Sequence, residues 1–108
     1  MKISIVNTAE DESYGDFDIL IDDKKLATAL VEFYDNGPQI KHVAARWGVP
    51  IKPIIKELAN HLYASHGEPH GLFAQIHEGE TDMKQAYEEA GFIFFKDTGT
   101  RLLYRLKR

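Results

Sequence analysis

The residues best placed for chemistry gather around the string Arg46-Trp47-Gly48-Val49-Pro50, where an extended run gives way to a helix with almost no linker. Before it, Ile40, His42 and Ala44 alternate with Lys41, Val43 and Ala45, which is the spacing of a strand. After it, Ile51, Ile54, Ile55, Leu58, Ala59 and Leu62 recur at helical spacing and turn Lys52, Lys56, Glu57 and Asn60 outward. Pro50 and Pro53 fit in the first turn of that helix, where the amide hydrogen they lack would have no partner. A helix that starts straight off a strand end aims its unpaired amides and positive dipole end into one small space, and such a space suits an anion.

Other chemistry is less well supported. His61, His66, His70 and His77 have spacings that match no compact metal-ligand set, and the chain has no cysteine to complete one. Phe92, Phe94, Phe95 and Tyr104 offer a stacking platform for bases, yet their alternation reads first as a core face and its partner surface.

The elements that position these residues follow in order. Lys2 to Val6 is a short strand, and Thr8 to Tyr14, with Glu10, Asp11 and Glu12, is an acidic solvent-exposed connector. Phe17 to Ile21 and Leu26 to Tyr34 form a hairpin across a turn at Asp22-Asp23-Lys24-Lys25, with Leu26, Thr28, Leu30 and Glu32 on one face. Asp35-Asn36-Gly37 is a second tight turn, so Gln39 to Ala45 pairs antiparallel with the strand before it. The helix then runs to Ser65-His66-Gly67, with Gly67 as a left-handed cap. Gly71 to Ile76 is a fifth strand. Thr81 caps a second helix whose buried face is Met83, Ala86, Tyr87 and Ala90, and Gly91 ends it. Phe92 to Phe95 and Arg101 to Leu106 close the chain as a hairpin. Four strands, a helix, a strand, a helix and two strands make an α+β domain on a mixed sheet of six or seven strands with two main helices.

The bulk numbers set limits on function. A chain of 108 residues without an internal linker is one domain, residues 1 to 108. Its 44% hydrophobic and 28% charged residues are those of an ordinary globular protein, and no apolar run approaches the roughly 20 residues of a membrane span. A net charge of −4 argues against coating nucleic acid nonspecifically. Met1 to Val6 is too short and too alternating for a signal peptide and reads as a strand, which together with the absent cysteines points to a cytoplasmic home.

Two strings within this order carry a resemblance. Gln85-Ala86-Tyr87-Glu88-Glu89-Ala90-Gly91-Phe92 looks like the "lYeKaGF" segment of GCN5-related N-acetyltransferases, and Ile40-Lys41-His42-Val43-Ala44 looks like the strand entering their acetyl-coenzyme A loop. The chain as a whole resembles a minimal member of that superfamily, with Thr8 to Asp16 in place of the helices that usually follow the first strand. The resemblance implies that the fourth and fifth strands lie side by side in parallel and splay apart near Gly48. It implies an acyl-CoA cofactor, acetyl-CoA first, held by Ala44, Arg46, Gly48, Val49, Ile51, Lys52 and Lys56, and an amine-bearing small molecule or protein as acceptor. The family motif of Gln or Arg, two residues, Gly, one residue, then Gly or Ala is altered, with Trp47, Pro50 and Lys52 at its three positions. Arg46, Lys52 and Lys56 therefore substitute side chains for lost amides, the alternative being a solvated basic helix end. Glu80 stands where an asparagine is usual, seven residues before Tyr87.

By the same resemblance Tyr87 protonates a leaving thiolate, and His42, or less directly Glu32 on the neighbouring strand, deprotonates the amine. The other roles of these side chains are packing for Tyr87 and a core or surface histidine for His42. The first functional reading is acyl-CoA-dependent N-acyl transfer. The alternative is a catalytically inactive module of this fold that binds or inhibits a protein partner, and a homodimer through the terminal hairpins is compatible with both.

Overall fold

The structure is a computed structural model that describes residues 2–68 and 70–108; Met1 of the expected N-terminal strand lies outside them. Its elements are β1 (Ile3–Asn7), β2 (Tyr14–Ile21), β3 (Lys24–Tyr34), β4 (Gly37–Ala45), α1 (Ile51–His66), β5 (Leu72–Ile76), α2 (Thr81–Glu89), β6 (Ile93–Asp97) and β7 (Leu102–Leu106). They form one seven-stranded sheet in the order β1-β2-β3-β4-β5-β7-β6. Every neighbouring pair is antiparallel except β4 and β5. The expected mixed sheet with two helices is therefore the fold, with β4 at its centre.

Both helices join one core. Ile54, Ile55, Leu58, Ala59 and Leu62 of α1 and Ala86 and Tyr87 of α2 pack with Phe17, Ile19, Val31, Ile40, Ala74 and Leu106 from the sheet. Phe73 and Leu103 are also buried but lie outside that core, on the opposite face. There Phe95 packs edge-on against Phe73 at 5.4 Å, and the Arg105 guanidinium sits 5.6 Å from each ring.

The turns follow from residue type. Asp22 and Asp23 both take positive φ, 50° and 70°, so the first hairpin turns in two residues and not the expected four. Aspartate tolerates this conformation, and its handedness matches the twist of the flanking strands. Gly37 takes φ 114°, and a methyl there would lie 2.6 Å from the Gly71 carbonyl oxygen, so both conformation and space demand glycine.

Four local expectations need correction. The strict alternation in β4 breaks at a bulge, because Val31 faces Ile40 while Leu30 faces His42, leaving Lys41 as the extra residue. The phase slips there, so Ile40 and Val43 are buried while His42 and Ala44 are exposed. A second bulge at Leu26 turns that side chain against the core, away from the face of Thr28 and Leu30. At the end of α1, Gly67 is right-handed (φ −71°, ψ −30°) and not a left-handed cap. Glycine is required for a different reason, since a methyl would sit 2.5 Å from the Tyr63 ring. Thr81 makes no capping bond; the α2 N-cap is Glu80, whose carboxylate instead accepts the His77 amide at 2.8 Å.

Candidate functional site

The site is built where β4 and β5 part. Their ladder holds only two pairs, Gln39 with Phe73 and Ile40 with Ala74. Beyond Ile40, β4 continues beside β3 alone, through Val43, Ala44 and Ala45. The facing edges of β4 and β5 thus carry backbone groups without ladder partners, which is what an extended polar ligand needs. Beside the last shared pairs, the Gln75 amide donates to the Gln39 side-chain oxygen at 2.5 Å.

At the end of β4 the chain reverses in one tight turn. The Arg46 amide donates to the Leu26 carbonyl at 2.9 Å, and the Val49 amide donates back to the Arg46 carbonyl at 3.1 Å. Gly48 takes φ 86° and a methyl there would meet no other atom of the described residues within 4 Å, so the turn stands open on that side. Val49 and Ile51 pack against the core and pin the turn from below. Pro50 is the N-cap of α1 with extended backbone, so both prolines fall where no helical donor is lost, as their spacing predicted. The first turn of α1 has no side-chain cap and no acidic residue. The Ile51 and Lys52 amides therefore point out with an uncompensated positive dipole end, although Pro50 and Pro53 contribute no donor.

The cations around this end are not equivalent. Lys52 is paired with Glu89 of α2 at 2.8 Å, both half-exposed. Arg46 and Lys56 have no carboxylate partner among the described residues. Lys52, Lys56, Pro53, Ala86, Glu89 and Ala90 line a shallow pocket of about 160 Å³ between the helices. Ala44 and Arg46 border another of about 270 Å³ on the β3 side. Unpaired amides, two free cations and an exposed glycine fit a phosphate-bearing ligand.

Tyr87 lies in the core at 1% exposure, its ring edge-on to Phe92 at 5.1 Å. Among the described residues its hydroxyl has no hydrogen-bond partner. Burial, with a further push from the Glu80 carboxylate, raises its pKa well above the ordinary tyrosine value. Glu80 thus shares an electrostatic neighbourhood with Tyr87.

His42 and Glu32 sit on the other face of the sheet. His42 is exposed opposite Leu30, and Glu32 lies opposite Gln39. Glu32 accepts a hydrogen bond from the Tyr34 hydroxyl, and the Lys41 ammonium lies 5.3 Å over the Tyr34 ring. Neither residue lines the pockets beside the turn. The structure brings together Ala44, Arg46, Gly48, Val49, Ile51, Lys52 and Lys56; it sets Tyr87 on the helix side and His42 and Glu32 on the open side of the sheet.

Glu89 was missed by sequence reasoning, because its pairing with Lys52 depends on how the two helices dock. The Gln39–Gln75 bond likewise has no local signature. The four histidines scatter: His61 meets Phe17 edge-on at 5.8 Å, and His66 stacks on Phe33 at 4.4 Å.

No sequence-family profile matches the chain, and no curated protein matches it in sequence. Solved structures do match in shape. The N-acetyltransferase PseH of Campylobacter jejuni superposes with a TM-score of 0.67 at 16% identity, covering 92% of this chain and 71% of its own, and it has also been solved with acetyl coenzyme A. An acetyltransferase from Thermus thermophilus gives 0.73 at 15% identity, over 88% of this chain and 64% of its own. The ribosomal-protein alanine N-acetyltransferase of Escherichia coli gives 0.66 at 15% identity, over 90% and 70%. The chain has the GCN5-related N-acetyltransferase fold.

Proposed function

We propose that this chain binds an acyl-CoA and transfers the acyl group to an amine. The observation that carries the reading is the two-pair β4–β5 ladder that opens onto the uncapped start of α1. Ile51 and Lys52 amides, Arg46 and Lys56 hold the phosphates, Gly48 gives them room, and Ala44 and Val49 line the approach. Lys52 contributes less than its neighbours, because Glu89 already neutralises it. The unpaired backbone edges past Ile40 and Ala74 grip the extended arm of the ligand.

When bound, the thioester would supply an electrophilic carbonyl and a thiolate leaving group. Tyr87 keeps its proton, since a phenol raised above its ordinary pKa binds hydrogen more tightly than a thiolate does. Its task is then to donate a hydrogen bond at the sulfur, not to surrender the proton outright. His42, exposed on the open face, accepts the proton that the attacking amine sheds, and Glu32 is the nearest carboxylate on the next strand. Direct transfer needs no covalent enzyme intermediate, which agrees with a chain without cysteine.

A second reading rests on Pro50 and on the Lys52–Glu89 pair, which remove one amide and occupy one cation: a non-catalytic module that binds a protein partner. Calorimetry with acetyl-CoA separates the two. Saturable heat below millimolar ligand is the expected result, and no heat at millimolar ligand sinks the enzyme.

A further inference from the structure

We propose that Trp47 stacks on the adenine ring of the bound coenzyme, so that the turn reads the nucleotide end of its ligand through the base as well as the phosphates. The inference rests on the acyl-CoA reading above and adds a contact that reading does not contain. Trp47 is the second residue of the turn closed by the Val49 amide on the Arg46 carbonyl, with the positive-φ Gly48 as the third. A positive-φ glycine in third place is the pattern of a type II turn, and Trp47 stands at its exposed corner.

Its exposure is complete, at 101%, while the next most exposed large hydrophobic side chain, Ile93, stands at 71%. Other exposed aromatic rings still pack on something. Phe94 meets Tyr104 at 5.8 Å and Phe95 meets Phe73 at 5.4 Å. The chain's single tryptophan takes no part in packing, although it is the largest apolar side chain available for a modest core.

The surroundings select the ligand chemistry. A tryptophan used for protein binding sits at the centre of an apolar patch that shuts out water. Trp47 is flanked instead by the free guanidinium of Arg46 and the bare Gly48, and the uncapped amides of α1 follow four residues on. A rigid indole face accepts any flat base, and cations with unpaired amides accept phosphate. A ring and an anion site held together by one turn are the complement of a phosphorylated adenosine.

Because there is no second tryptophan, emission excited beyond the tyrosine absorption band reports on this residue alone. Coenzyme A and 3′-phosphoadenosine 5′-phosphate should each quench the emission saturably, whereas pantetheine should leave it unchanged. By calorimetry, Trp47→Ala should weaken coenzyme A binding about tenfold or more, the share of one stacked base, with an unchanged melting temperature. Trp47→Phe should recover most of the loss. Emission that stays constant while calorimetry records coenzyme A binding would overturn the inference and leave the acyl-CoA reading standing. So would a Trp47→Ala variant that binds like the parent, or pantetheine that quenches as strongly as coenzyme A. Failure of the parent protein to bind coenzyme A at millimolar concentration removes both.

Discussion

The two ends of β4 are built on opposite principles. At Gly37 the strand enters tightly flanked, with β3 on one side, the Gly71 carbonyl 2.6 Å from where a methyl would stand, and the β5 ladder beginning at Gln39. At Gly48 the chain leaves with β5 already gone, no described residue within 4 Å of where a methyl would stand, and an uncapped helix start ahead. One strand thus supplies the rigidity of the sheet centre at one end and an unsatisfied polar cleft at the other. The proposed binding site needs both, because groups left unpaired for a ligand destabilise the fold unless packing elsewhere compensates.

The sharpest way to break this comparison is to put the same methyl at each end. Gly37→Ala should cost about 2 to 4 kcal/mol in urea unfolding, since left-handed strain adds to a backbone collision. Gly48→Ala meets strain alone and should cost about 1 kcal/mol. Equal costs would mean that the ends do not differ in packing.

Next in size are the free cations at the open end. Charge-assisted phosphate contacts are worth about 1.5 to 3 kcal/mol, so Arg46→Ala or Lys56→Ala should weaken coenzyme A binding about tenfold or more by calorimetry. The loss should be larger at low salt. Affinity indifferent to both substitutions would leave the amides as the whole anion site.

Tyr87 tests the closed side. Its pKa is raised in the fold, so the folded chain keeps a proton that the unfolded chain loses near pH 10. That contribution is full below about pH 10 and is lost as pH climbs from there through the folded value, at up to about 1.4 kcal/mol per pH unit. Urea midpoints of the parent and Tyr87→Phe, followed from pH 8 to 11, should converge or cross as alkalinity rises. Parallel curves would show that the phenol is not sequestered.

The smallest expected effect is at Glu89. An exposed ion pair is worth at most about 1 kcal/mol, so Glu89→Gln, by freeing Lys52, should tighten phosphate binding only a few-fold. A loss of affinity would instead assign Glu89 a contact with the ligand.

Much of this was legible from local pattern. The 3.6-residue stripe from Ile51 to Leu62 marked α1 and its buried face, Asp35-Asn36-Gly37 marked the hairpin into β4, and the placement of Pro50 and Pro53 marked where a helix begins. These features depend on neighbours a few residues away, and a sequence records such neighbours directly. The residues around the proposed anion site came into view for the same reason, because strand end, turn and helix start are contiguous.

What the tertiary structure decided involves partners far apart in the chain. The bulge at Lys41 slips the alternation, buries Val43 and sends His42 to the open face, because Val31 and Leu30 of β3 bond past it. Gly67 is glycine for the ring of Tyr63, and not for a left-handed cap. Lys52 loses its freedom to Glu89 only once α1 and α2 dock. Tyr87 and His42, both plausible from type and position, end on opposite faces of one sheet. Periodicity specifies which way a side chain points along its own element, but register, bulges and helix docking are settled by packing between elements, and no single stretch of sequence contains that information.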